Sequence, residues 1–137
     1  MGLPNVKDAE LIETKALPNG AASIYSDPID LGALSAAGAR LHSGELLLSA
    51  PALATADLGD AATMTYDLQM DNDSAFGSPT TLIAGIIVQT GAGGAGAAAA
   101  SARFRVPTNC ERYVRAKATN AAAGDASDKS LTLSLVF

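Results

Sequence analysis

Chemistry in this 137-residue sequence would have to start from His42 or Cys110, its single histidine and its single cysteine. A Ser-His-Asp relay could use only His42, whose surroundings, ARLHSGE, read as a loop, and no serine sits in a nucleophile elbow. The expected role is a solvated loop histidine. Cys110 has no second cysteine to bridge, so no intrachain disulfide forms and the expectation is a structural thiol. A third candidate is the run Asp71, Asn72, Asp73 and Ser74, which crowds oxygen donors into one turn and invites calcium. An EF-hand loop begun at Asp71 needs glycine at its sixth position and glutamate at its twelfth, where this chain has Phe76 and Leu82. An Asx-type turn joining two strands is the better reading, because Asp and Asn side chains bond the backbone two residues on. The glycine-rich GAGGAGAAAA at 91–100 holds neither a GxGxxG after a strand nor a Gly-Lys-Ser/Thr, so it is no phosphate cradle. The residues therefore predict a protein that is not an enzyme and uses no metal and no cofactor. A small enzyme built on His42 is the remaining alternative, and activity lost on changing His42 would be its signature.

Any working surface must be carried by a core of small side chains. Apolar residues make up 48% of the chain but aromatic ones only 4%, with no tryptophan. Small side chains gain less per residue at about 25 cal/mol per Å² buried, which makes support from a neighbouring subunit an expectation. The length suits one domain plus an arm. The start, MGLPNVKDAELIETK, has no basic segment followed by an apolar stretch, and apolar runs break well before the roughly 18 residues of a membrane span. The expectation is a soluble protein made in the cytoplasm, without membrane contact. The net charge of −5 divides unevenly. Residues 1–73 hold three basic and eleven acidic side chains, net −8, whereas 74–137 hold six basic and three acidic, net +3. Five of the nine basic residues, Arg103, Arg105, Arg112, Arg115 and Lys117, fall in one fifteen-residue stretch, the nearest thing to an electrostatic patch. Direct nucleic-acid binding is not expected, because the total is acidic and no binding module is recognisable.

Residues 1–20 are bracketed by Pro4 and Pro18, and Pro18-Asn19-Gly20 is a turn signal, so this segment reads as an arm ahead of a domain at 21–137. Lys7 to Ala16 could form a short helix, although its apolar stripe is narrow. Fully extended, such an arm reaches roughly 60–70 Å, and Lys7, Leu11, Ile12 and Lys15 are its candidate contacts. From Ala21 onward, short runs alternate with a period of two, the mark of strands. The candidates are 23–26, 29–31, 45–50, 61–70, 81–90, 102–106, 112–119 and the final LTLSLVF. Asp27-Pro28 fits a sheet edge or a bend. ELLLSA at 45–50 reads as a strand buried on both faces or as a helical turn, Gly85 marks a bulge or a close approach, and 91–100 reads as a flexible loop. Alternation turns Arg103 and Arg105 away from Ala102, Phe104 and Val106, and turns Tyr113, Arg115 and Lys117 away from Val114, Ala116 and Ala118. About eight short strands with hardly any helix predict an all-β fold, an antiparallel two-sheet sandwich, jelly-roll-like.

The segment DLQMDNDSAFGSPTTLIAG, followed further along by ARFRVPTNCERYVRAKAT, resembles the small capsid cement or decoration proteins of tailed bacteriophages. The likeness rests on Leu68, Asp73, Phe76, Ser78, Pro79, Thr80 and Thr81, then on Arg103, Arg105, Pro107, Arg112, Tyr113, Val114 and Arg115. IYSDPIDLGA is similar to the family's early strand, and the charged arm and the insertion at 91–100 depart from its pattern. Such a resemblance implies a structural protein of the virion with no reaction to perform. It would bind the outer surface of the assembled head and tie neighbouring major capsid protein subunits together, as a homo-oligomer, often a trimer. Arg103, Arg105, Arg112, Tyr113, Arg115 and Lys117 are then candidate contacts with the capsid or with sister subunits. The opposite charges of the two halves would allow head-to-tail contacts around a ring. A receptor- or carbohydrate-binding module of a phage tail or cell surface is the alternative, disfavoured by the lack of tryptophan.

Overall fold

The computed structural model describes residues 11–32 and 44–136. Nine strands run through them: β1 (Ile12–Ala16), β2 (Ser23–Tyr25), β3 (Ile29–Asp30), β4 (Glu45–Ala50), β5 (Thr63–Asp71), β6 (Thr80–Thr90), β7 (Ala100–Arg105), β8 (Tyr113–Asn120) and β9 (Ser130–Val136). No α-helix occurs among the described residues, and none is long and apolar enough to cross a membrane.

The strands pair as one long antiparallel hairpin. β5 and β6 form its tip around the turn at 72–79, β4 pairs with β7, β2 and β3 pair with β8, and β1 pairs with β9, each pair nested outside the last. Isolated bridges from Leu53 to Ala97 and from Asn19 to Asp125 continue the nesting between strands. The hairpin then rolls over, so that β4 also meets β9 and β5 also meets β8. Two antiparallel sheets result, one of four strands in the order β1-β9-β4-β7 and one of five in the order β2-β8-β5-β6, with β3 also on β8. This is the connectivity of a jelly roll in which β2 and β3 are one strand broken at Asp27-Pro28. The all-β sandwich expected from the alternation is the fold the chain adopts.

Alternation also builds the core. Leu46, Leu48, Leu131 and Leu133 from one sheet meet Met64, Tyr66, Leu68, Val114 and Ala116 from the other, all fully buried. Tyr66 donates its phenol hydrogen to Gln89 Oε1 at 2.7 Å, and burial pushes the phenol's pKa up. The Gln89 amide in turn donates to the carbonyls of Pro51 and Ala98, both at 2.8 Å. The polar pair is tolerated in an apolar interior because its donors and acceptor are all used.

Several expectations need correction. Residues 12–17 belong neither to a free arm nor to a helix: β1 lies in register on β9, from Ile12 opposite Ser134 to Ala16 opposite Ser130, and Leu17 is buried. The sandwich therefore begins by residue 12 rather than 21, and the strands number nine. β1 is hard to see in the sequence because the residues opposite Leu133 and Leu131 are Glu13 and Lys15. Charges on an edge strand deter pairing with other chains. Desolvation and the neighbouring Asp27 raise the Glu13 pKa. β4 is buried on one face only, since Leu47 and Ser49 are half-exposed. The 91–100 segment is a pinned turn: Gly91 N donates to Ala62 O at 3.0 Å, Ala92 N to Gly96 O at 3.1 Å, and Ala97 N to Leu53 O at 2.9 Å. Gly96 has φ +69°, and a Cβ there would collide with the Leu53 carbonyl, so glycine is the residue that lets the two loops close. Gly85 does mark a bulge: its φ is +61°, its N–H donates to Asp67 Oδ1 at 2.7 Å, and the β5–β6 register shifts beside it. Lys7 and His42 lie outside the described residues.

Candidate interaction surface

β8 runs between β2 and β5 in the five-stranded sheet. Its alternation buries Val114, Ala116, Ala118 and Asn120 and turns Tyr113, Arg115, Lys117 and Thr119 to the outer face. Arg115 is the centre of that face. Its guanidinium lies 4.1 Å from the Tyr25 ring centroid on one side and 4.2 Å from that of Phe76 on the other. Its Nε donates to Gln69 Oε1 at 2.9 Å, from the residue opposite it on β5. Desolvation lowers its pKa, partly offset by Tyr25 and Asp71, but a guanidinium stays charged throughout.

Phe76 reaches Arg115 because of the acidic turn. Asp71 Oδ1 accepts from Asp73 N at 2.9 Å, Asp71 Oδ2 from Ser78 N at 3.0 Å, Asp73 Oδ1 from Ala75 N at 2.9 Å, and Asp73 O from Phe76 N at 2.9 Å. The backbone N–H groups of Asp73 and Ser78 hold the Asp71 carboxyl below its ordinary range. The turn bends until Phe76 takes φ +52° and is almost fully buried. The expected Asx turn is therefore present, and it positions a ring. Beside it, Arg112 makes a two-pronged pair with Asp30, both contacts at 2.9 Å, and lies 5.2 Å from the Tyr113 centroid. The bond to Asp30 raises the Arg112 pKa. Lys117 sits 6.0 Å from the Tyr25 ring centroid.

The arginine-rich stretch does not form one patch. Arg103 and Arg105 are on β7, an edge of the four-stranded sheet, whereas Arg112, Tyr113, Arg115 and Lys117 lie on or beside β8 in the other sheet. Leu11, Ile12 and Lys15 lie at or on β1, the edge opposite β7. Leu11 is half-buried against the core and Lys15 is exposed. Three separate surfaces thus share the candidate residues.

The two charged halves are the two legs of the rolled hairpin, and their charges meet across it. Glu45 bonds Arg103 at 3.2 Å and stands opposite Arg105, Asp30 holds Arg112, Asp67 stands opposite Lys117, and Asp57 lies 3.6 Å from Lys129. Among the described residues, opposite charge thus matches strand to strand within the molecule. Tyr25, Asp30, Gln69 and Asp71 were not visible as partners in the sequence, because only the register of distant strands brings them to β8. Among the described residues, no three His, Cys, Asp or Glu side chains converge as a metal site.

No family profile and no curated protein matches the chain. Among solved structures it is similar to arabinosyltransferase EmbB from Mycobacterium smegmatis, at 14% identity and a TM-score of 0.36, over 99% of this chain and 14% of that one. A likeness at that level carries no functional argument.

Proposed function

We propose that this protein is a structural cement protein of a phage capsid, which binds the outer surface of the assembled head and ties neighbouring major capsid subunits together. The observation that carries this reading is the outer face of β8, where Arg115 stands between Tyr25 and Phe76 with Arg112, Tyr113 and Lys117 beside it. Arginine and tyrosine are the residues in which interface energy concentrates. A sheet face already held by stacking and hydrogen bonds presents them with little ordering entropy to lose. The resemblance of the turn and the β7–β8 region to capsid decoration proteins supplies the partner. Docking rests on stacking and hydrogen bonds more than on net positive charge, because acids of the same molecule already face most of these cations.

Strength comes from multivalency. A homo-oligomer that engages several shell subunits makes its later contacts intramolecular and gains roughly 10² to 10⁴ over a single contact. On this reading the protein is made in the host cytoplasm, resides on the virion's outer capsid surface, performs no reaction, and touches neither membrane nor nucleic acid. The test is cosedimentation of the purified chain with heads that lack it. Tyr25→Ala with Arg115→Ala is expected to raise the apparent Kd at least about tenfold, the equivalent of about 1.4 kcal/mol. Binding equal to the unaltered chain would remove this face from the account.

A further inference from the structure

We infer that β6 pairs with β6 of a second copy of this chain, antiparallel, about a two-fold axis at Val88. The sandwich has four strand edges, and three of them are guarded. β1 carries Glu13 and Lys15, β7 carries Arg103 and Arg105, and the edge made by β2 and β3 is only three and two residues long and split at Asp27-Pro28. β6 differs: it has eleven residues, TTLIAGIIVQT, with no charge and no proline, and among the described residues no strand other than β5 is paired with it. A long uncharged edge is a template for another strand. The bulge at Gly85 confines the regular ladder to 87–90. There Val88 is 54% exposed on the outer face while Ile87 and Gln89 point into the core. Gln89 is bonded to Tyr66, Pro51 and Ala98, so this edge is fixed before any partner arrives.

Charge decides the occupant. In a two-fold pairing each strand faces itself, so a charge near the axis faces its own copy, and like charges directly opposite are destabilising. Self-pairing of β7 would bring arginine towards arginine, whereas β6 has nothing to repel. An axis at Val88 sets Val88 against Val88 and Ile86 against Thr90. A charged partner strand would meet no countercharge on β6, which leaves the same uncharged strand of a second copy as the fitting occupant. A two-fold pair replaces the trimer that the resemblance implies, and it does not depend on the capsid reading.

The test is sedimentation equilibrium of the full chain up to about 1 mM, together with hydrogen exchange at the amides of 86–90. The expected results are a dimer mass and exchange at 86–90 that slows at least about tenfold from dilute to concentrated protein. Val88→Lys, which sets lysine against lysine, is expected to give a monomer with the fast exchange of dilute protein, while Val88→Thr keeps the dimer. A monomer or trimer mass for the unaltered chain, a dimer that survives in folded Val88→Lys, or exchange at 86–90 that ignores concentration would each overturn the pairing. The exchange measurement needs no variant, so it decides the matter even if Val88→Lys fails to fold.

Discussion

Arg115 owes its position to neighbours drawn from three places in the chain, and its loss should be felt in two measurements. Removing the guanidinium leaves Tyr25 and Phe76 without the cation between them, and Arg115→Ala is expected to cost about 1–2 kcal/mol in chemical unfolding at this partly exposed site. Arg115→Lys keeps the charge but loses the planar stack and the bond to Gln69, so it should recover only part of that. Tyr66→Phe removes the donor to a buried Gln89 oxygen and is expected to destabilise the fold by about 1–3 kcal/mol. Asp71 gives the pH dependence. Its folded pKa lies below the ordinary 3.8, so its stabilising share is complete above that value and is lost as pH falls through the depressed folded value. Thermal melts of the unaltered chain should therefore fall on acidification below the ordinary carboxylate range. Asp71→Asn should lower the melt near neutral pH and show a smaller fall in acid; an equal fall in both proteins would assign the acid sensitivity elsewhere.

At the scale of elements, the charge pattern is a pairing code. Acidic strands from the first leg of the hairpin meet basic strands from the second, and Asp30→Arg should destabilise the sandwich while adding Arg112→Asp restores part of the loss. Two unfolding curves that simply add would remove the pairing from the account. Truncating residues 1–18 is expected to lower the melting temperature sharply, because it strips β1 from β9 and removes buried Leu17. Gly96→Ala should also destabilise, by at least about 1 kcal/mol from its positive φ alone. Most of the fold was legible in the sequence. The period-two runs at 61–70 and 112–119 are strands, at Thr63–Asp71 and Tyr113–Asn120, the apolar run at 45–50 is a strand though buried on one face only, Gly85 is a bulge, and 71–74 is an Asx turn. What stayed hidden has physical causes. β1 was obscured by the charges Glu13 and Lys15 opposite core leucines, and the glycines at 91–96 read as slack because their partner, the loop at 53–59, is distant in sequence. The site was half legible: β8's outward residues follow from alternation, but Tyr25, Phe76 and Asp30 reach it only through long-range register. The five cations that are neighbours in sequence separate because the chain crosses between sheets after β7.

For the whole molecule, the proposed role is that of a body that holds other proteins. Its sheets close around a core of small side chains, three of its edges are blunted, and three of its described aromatic residues, Tyr25, Tyr113 and Phe76, gather with arginines around one sheet face. The central claim is that this face grips the outside of a capsid. Electron cryo-microscopy of purified virions tests it most directly. The account predicts a nine-stranded sandwich on the outer head surface with Tyr25 and Arg115 turned to the shell; heads without this chain, or a bound chain whose β8 face looks into solvent, would contradict it.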